Sequence, residues 1–298
     1  MRSPVLQIFF YGICVVQFLG FRVAAQTYAF EGALLLNGQR SNPISYRLDF
    51  TLQDGIIRGH SVTDLFGAHE TKNEIKGTFS PSEGVLSFQE EGILYTKSPL
   101  QRDIFCFVRF SGKVESDSGG ALLKGEFTGR YPDRQPCARG RLLMMGSADV
   151  QKLLARIDEK MGGPGYAEKG VQSNRNVVRL YDSLQLRRLN AGENLSVFWD
   201  ANAIDICLRD KYLEDGDVVT LYHNGKPILQ EHRVTAAPFV LNIPLVGATN
   251  VFTLEAVGEG SRPPNTALVS LEGGQRVEFQ SNLKKGQRAT IQIVQPKP

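Results

Sequence analysis

Polar and apolar residues alternate along most of this chain with a period of two, the pattern of half-buried strands. Residues 44–52 carry it in SYRLDFTL, Asp54-Gly55 follows, and residues 56–63 resume it. A strand, Asp-Gly and a second strand make a strong hairpin signal. Comparable segments at 28–36, 71–79, 85–89, 93–97, 105–110, 122–128 and 140–145 predict further strands. Gly59, Gly77, Gly92, Gly112, Gly125 and Gly129 fall in or beside them, where glycine marks bends and bulges. Eight or more short strands at regular spacing predict a meander that curls into a barrel or sandwich.

The period changes at residues 148–161, ADVQKLLARIDEKM, where Val150, Leu153, Leu154, Ile157 and Met161 share one helical face. Ser147 suits the N-cap, Asp149 the first turn, and Gly162-Gly163-Pro164-Gly165 ends the helix. It is expected to pack on the barrel's edge as a strut. Strand-like segments return at 195–200, 218–223, 226–234, 239–243, 250–257, 266–271, 275–281 and 290–294. Pro238, Pro244, Pro263 and Pro264 punctuate the loops between them. AIDICLRDKYLE, residues 203–214, reads as a long loop, and Trp199 as a core plug. The predicted fold class is all-β: an N-terminal curled antiparallel sheet or barrel and a C-terminal immunoglobulin-like β-sandwich, with one short helix between. The expected boundaries are 1–25 for a signal peptide, 26–146 for the barrel-like domain, 147–175 for the helix and Gly-rich linker, and 176–298 for the sandwich.

Three stretches carry a resemblance. DGDVVTLYHNGKPILQ, NVFTLEAVGEGSRPPNTALVSLEGG and QSNLKKG resemble a sandwich module found in exported proteins of Bacteroidetes-type bacteria. The N-terminal DGIIRGHSVTDLFGAHETKNEIKGTFSP is similar to a second β-rich domain of exported proteins from the same bacteria. The resemblance implies export, β architecture and an envelope or extracellular role. It brings no catalytic residues with it.

Residues 1–25 independently point to export. Arg2 precedes an apolar run through Phe21, and Val23 and Ala25 suit a signal-peptidase site. An uncleaved anchor is the alternative, because the run is near the lower limit for a span. No later segment is long and apolar enough, so no membrane span is expected after cleavage. The chain has 34 basic and 31 acidic residues, and losing Arg2 and Arg22 leaves 32 against 31. A nearly neutral chain without a basic stripe argues against nucleic acid. Cys106 and Cys137 are the expected disulfide of an oxidising compartment. Cys207 is expected to be a buried apolar side chain between Ile206 and Leu208.

Asp210, Glu214, Asp215 and Asp217 crowd a loop in which Gly216 permits a sharp bend. Hard cations take several such oxygens, so calcium is the one cofactor considered; the alternative is a solvated turn. His60, Ser61, Asp64, His69 and Glu70 supply the residue types of a hydrolase or metal site, if their side chains converge; the plainer reading is a hairpin turn at 64–69 with exposed polar residues. Arg262, Asn265 and Thr266 lie in or just after a proline-stiffened loop, which reads as a structural crossover or as a recognition surface. The chain has no phosphate-binding glycine loop, HExxH or CxxC motif. The expected function is therefore non-catalytic: an envelope or extracellular binding and scaffolding protein that recognises protein or glycan through the sandwich loops. An apolar-ligand carrier built on the barrel, and a hydrolase at residues 60–70, are the rivals.

Overall fold

The computed structural model describes residues 25–38, 43–64, 69–99, 102–117, 120–161, 188–210 and 214–295. The signal-segment expectation and the Gly-Pro linker lie outside the described residues. Eight antiparallel strands open the chain: β1 (Gln26–Leu36), β2 (Ile44–Gln53), β3 (Ile56–Thr63), β4 (Thr71–Ser80), β5 (Val85–Thr96), β6 (Phe107–Asp117), β7 (Gly120–Arg130) and β8 (Pro136–Gly146). Each pairs with the next, and β8 returns to β1, which closes an up-and-down barrel. Closure removes the free edges that an open sheet would expose.

The inward rows place Phe30, Tyr46, Phe50, Phe79, Phe88, Phe110 and Phe127 in one buried cluster. Most of these rings stack, tilt or meet edge to face, with Phe88 and Phe110 centroids 5.2 Å apart. An eight-stranded barrel is just wide enough to be filled by side chains, and here aromatic rings do the filling. Close coiling needs bare backbone at Gly59 and Gly77, where an added Cβ would stand 2.0 Å from Asp49 O and Ser87 O respectively. The two segments expected at 85–89 and 93–97 are one strand. The β4–β5 register slips between Lys72 and Asn73 and again between Glu74 and Ile75, so the polar stretch between the segments is bulged strand, not turn.

α1 (Ser147–Met161) follows and contacts β1 and β8. Its Asp149 accepts a hydrogen bond from Ala121 N at 3.0 Å, which pins the first turn to β7. Leu153, expected on the packed face, is exposed.

The second body comprises β9 (Arg188–Asn190), β10 (Asn194–Phe198), β11 (Ala203–Arg209), β12 (Asp217–His223), β13 (Lys226–Arg233), β14 (Phe239–Pro244), β15 (Thr249–Glu259), β16 (Leu268–Glu272), β17 (Arg276–Asn282) and β18 (Arg288–Val294). One sheet runs β13-β12-β15-β18-β10 and the other β14-β11-β16-β17-β9. Their inner faces share a core that includes Trp199, Ile206, Leu221, Phe252, Leu271 and Ile291. Trp199 is fully buried, and its Nε1 donates to Ala203 O at 3.0 Å. Two pairings are parallel, β10 with β18 and β17 with β9.

Residues 203–209 correct the sequence reading. They form β11, an inner strand between β14 and β16, not a loop. Ile204, Ile206 and Leu208 face the core, so Cys207 lies on the other face, only partly buried. Alternation across IDICL carried that signal.

The two bodies are joined through backbone. Ser196 and Val197 of β10 pair with Thr96 and Tyr95 of β5, so the barrel sheet continues into the sandwich. Around this joint Tyr95 OH donates to Glu70 at 2.7 Å, and Lys97 lies 3.2 Å from Glu193 and bonds Arg188 O at 2.6 Å.

Candidate functional site: a seam in the barrel wall

Pairing between β5 and β6 runs from Val85↔Lys113 to Gln89↔Arg109 and stops there. The next opposed residues, Glu90 and Val108, are joined through a side chain instead: Val108 N–H donates to Glu90 Oε2 at 2.7 Å. A carboxylate oxygen thus accepts the amide that a strand carbonyl would otherwise take. Glu90 faces the interior and is buried. Its Oε1 accepts the Tyr46 hydroxyl at 2.9 Å and the Ser61 hydroxyl, and the Asn73 side chain also hydrogen-bonds to it. Burial raises the Glu90 pKa, and hydrogen bonds from Ser61, Val108, Tyr46 and Asn73 hold the rise back. The Tyr46 hydroxyl is pushed well up by its own burial and by the Glu90 charge. A carboxylate has about four lone-pair positions, and Glu90 has four donors. It is therefore a poor base and a good tie.

Outside the seam lies a hollow of about 550 Å³, lined by Glu90, Glu91, Asp103, Phe107, Arg109, Arg130, Tyr131, Pro132 and Arg134. A second hollow of about 520 Å³ is lined by Leu36, Asn37, residues 128–130 and residues 136–139. Arg130 lines both hollows. Cys106 and Cys137 form the expected disulfide. It ties the residue before β6 to β8 just after the Arg130–Arg134 loop. Gly129 lies beneath it, where an added Cβ would come within 2.3 Å of Cys106 Sγ.

The structure joins two features that the sequence presents separately. Asp217 Oδ2 accepts from Thr266 N at 2.7 Å, and Asp215 O accepts from Ser261 N at 2.9 Å. Asn265 is fully buried; its Nδ2 donates to Gly258 O at 2.9 Å and to Val218 O at 3.3 Å, and its Oδ1 accepts from Ser281 Oγ at 3.0 Å. Asn265 is thus a clamp at the base of the loop and offers a partner no surface. Thr266 is partly buried beside it, and Arg262 stays exposed. The peptide between Pro263 and Pro264 is cis.

The four acidic residues are directed to different tasks. Glu214 accepts from Ala236 N at 2.7 Å, Asp215 Oδ1 from Asp217 N at 3.3 Å, and Asp210 N donates to Thr235 O at 2.7 Å. Among the described residues, no three His, Cys, Asp or Glu side chains gather as a metal cluster.

Asp217 carries a pH signature. Burial raises its carboxyl to about 6; the Thr266 N–H opposes this, and the charges of Asp215, Asp210 and Glu259 add to it. Its native form holds a proton more tightly than the unfolded chain does. The contribution to stability is full below the ordinary carboxylate range and is lost as pH rises through about 6. Asp217→Asn should therefore be better tolerated at high pH: its stability relative to wild type should improve by roughly 2 kcal/mol between pH 4 and pH 7.5. Urea melts at the two pH values check this, and an unchanged difference would contradict it.

The residues at 60–70 do not converge on one reaction centre. The Ser61 hydroxyl is given to Glu90 inside the barrel. The His69 ring meets Ser98 Oγ at 3.3 Å, Asp64 accepts the His69 backbone N–H at 3.1 Å, and Glu70 holds Tyr95. His60 lies opposite Asp49 in the β2–β3 register, one residue from Ser61 and hence on the other face of the sheet. Glu90 escaped the sequence reading, although LSFQEEG places it two residues after Phe88 and four after Leu86 on one face.

No family model, no curated protein and no solved structure matches this chain.

Proposed function

We propose that this chain is a non-catalytic binding and scaffolding protein that works outside the cytoplasm and meets a protein or glycan partner through the sandwich-end loop at Arg262. The observation that carries the reading is a loop exposed at its tip and clamped at its base. Ser261, Arg262 and Pro263 are exposed, while Asn265 and Asp217 fix the backbone behind them with four hydrogen bonds, and the Ser281 hydroxyl donates a fifth to Asn265. A pre-ordered loop loses little conformational entropy on binding. The backbone joint at β5–β10 supports the same reading, because it holds the loop's sheet on the barrel. The filled aromatic interior weighs against an apolar carrier, and the saturated Glu90 weighs against chemistry inside the barrel. The disulfide suits an exported chain, and no helix among the described residues is long and apolar enough to cross a membrane.

The test is binding of the processed chain to isolated cell envelope from its producing cells. The expected result is saturable binding that Arg262→Ala weakens several-fold with the melting temperature unchanged. Absence of saturable binding, or equal binding by the variant, would contradict the proposal.

A further inference from the structure

We infer that the hollow outside the barrel seam is a second binding site, selective for a saccharide that carries a carboxylate, such as a uronate unit. Three guanidiniums line it, those of Arg109, Arg130 and Arg134. Among the described residues none of the three is within ion-pair distance of a carboxylate. A planar carboxylate is the natural two-point partner of such a group.

The rest of the lining argues for a sugar over a bare anion. Tyr131 is 37% exposed and Phe107 is half-buried, so both offer apolar ring surface to the CH face of a pyranose. Glu91 and Asp103 line the same hollow and are exposed. Ionised carboxylates only accept hydrogen bonds, and sugar hydroxyls donate them. The same two acids would repel a small anion that has no hydroxyls. With Glu90 counted, three acids stand against three arginines in the lining, so the selectivity comes from two-point pairing of an unpaired guanidinium with the sugar carboxylate, not from net charge. Glu90 adds no free oxygen, because its four donors cover it. A volume of about 550 Å³ is in the range of small-molecule sites.

The site is also built in advance. Tyr131 N donates to Gln135 O, Arg134 N to Tyr131 O, and Arg130 Nη1 to Arg134 O at 2.7 Å, so the loop bearing two of the arginines closes on itself. The disulfide then fixes that loop's exit against the start of β6, where Phe107 and Arg109 begin the opposite wall.

The experiment is calorimetric titration of the disulfide-intact processed chain with trigalacturonate, maltotriose and acetate at low ionic strength. Trigalacturonate should bind at least tenfold more tightly than either of the other two. The double variant Arg109→Gln/Arg134→Gln should lose at least tenfold in that affinity while its melting temperature stays put. Should the double variant fold poorly, Tyr131→Ala should show a comparable loss. Arg262→Ala should bind trigalacturonate as wild type does, which separates this site from the sandwich-end loop. Binding of acetate or maltotriose as tight as that of trigalacturonate, no saturable binding at all, or full affinity in the folded variants would overturn the inference.

Discussion

Glu90→Ala should destabilise the protein by about 3–5 kcal/mol, the scale for breaking a buried charged network by removing one partner. The truncation takes away the acceptor for Tyr46 OH, Ser61 Oγ and Val108 N together. Each is then a buried donor left without its acceptor, and each such loss costs about 1–3 kcal/mol. The costs are not additive, because the four groups form one network. Since Val108 is the second residue of β6, the damage should spread along the seam and loosen the β5–β6 pairing beside it. Glu90→Gln keeps the shape and one acceptor, so it should cost less. Chemical denaturation of the two variants checks the ranking. A Glu90→Ala protein as stable as wild type would contradict it.

Removing the disulfide should cost about 3–4 kcal/mol in the chain-entropy account, for a bridge that spans 31 residues. The closed loop contains β6 and β7. Its release frees the unfolded chain and unties the β7–β8 loop from the start of β6. Cys106→Ser/Cys137→Ala should therefore melt lower than wild type and match the reduced wild-type protein. Thermal melts with and without reductant measure both. A variant that melts with the oxidised wild type would count against the bridge as a brace.

The strands were legible because most of them alternate and some of their turns carry local chemistry. Asp54-Gly55 and Asn224-Gly225 both adopt the positive φ angles that their hairpins need. Two strand assignments failed for opposite reasons. β5 reads as two strands because its polar bulged centre resembles a turn. β11 reads as a loop because charged residues flank a short apolar alternation, although its burial comes from two neighbours remote in sequence. Parallel pairing of β10 with β18 and of β9 with β17 depends on such distant partners too, and no local pattern encodes it.

The candidate sites were less legible than the fold. Residue types at 60–70 suggested chemistry, but strand parity sends Ser61 inward to Glu90 and His60 to the other face. Asn265 is polar and follows two prolines, the profile of an exposed contact residue, yet it is fully buried as a clamp. The seam itself arises because β5 pairs with β6 along one half and with β10 beyond it. That divergence between two bodies far apart in sequence sets Glu90 opposite Val108, and no short motif announces it.

Amide hydrogen exchange at Val108 tests the seam most directly. Val108 N–H has a side-chain carboxylate where its neighbours along β6 have strand carbonyls. With Glu90 in place its exchange should be as slow as that of Phe110 within the paired region, and in Glu90→Gln it should speed up while Phe110 changes less. Rapid exchange at Val108 in the native protein would contradict the seam as described.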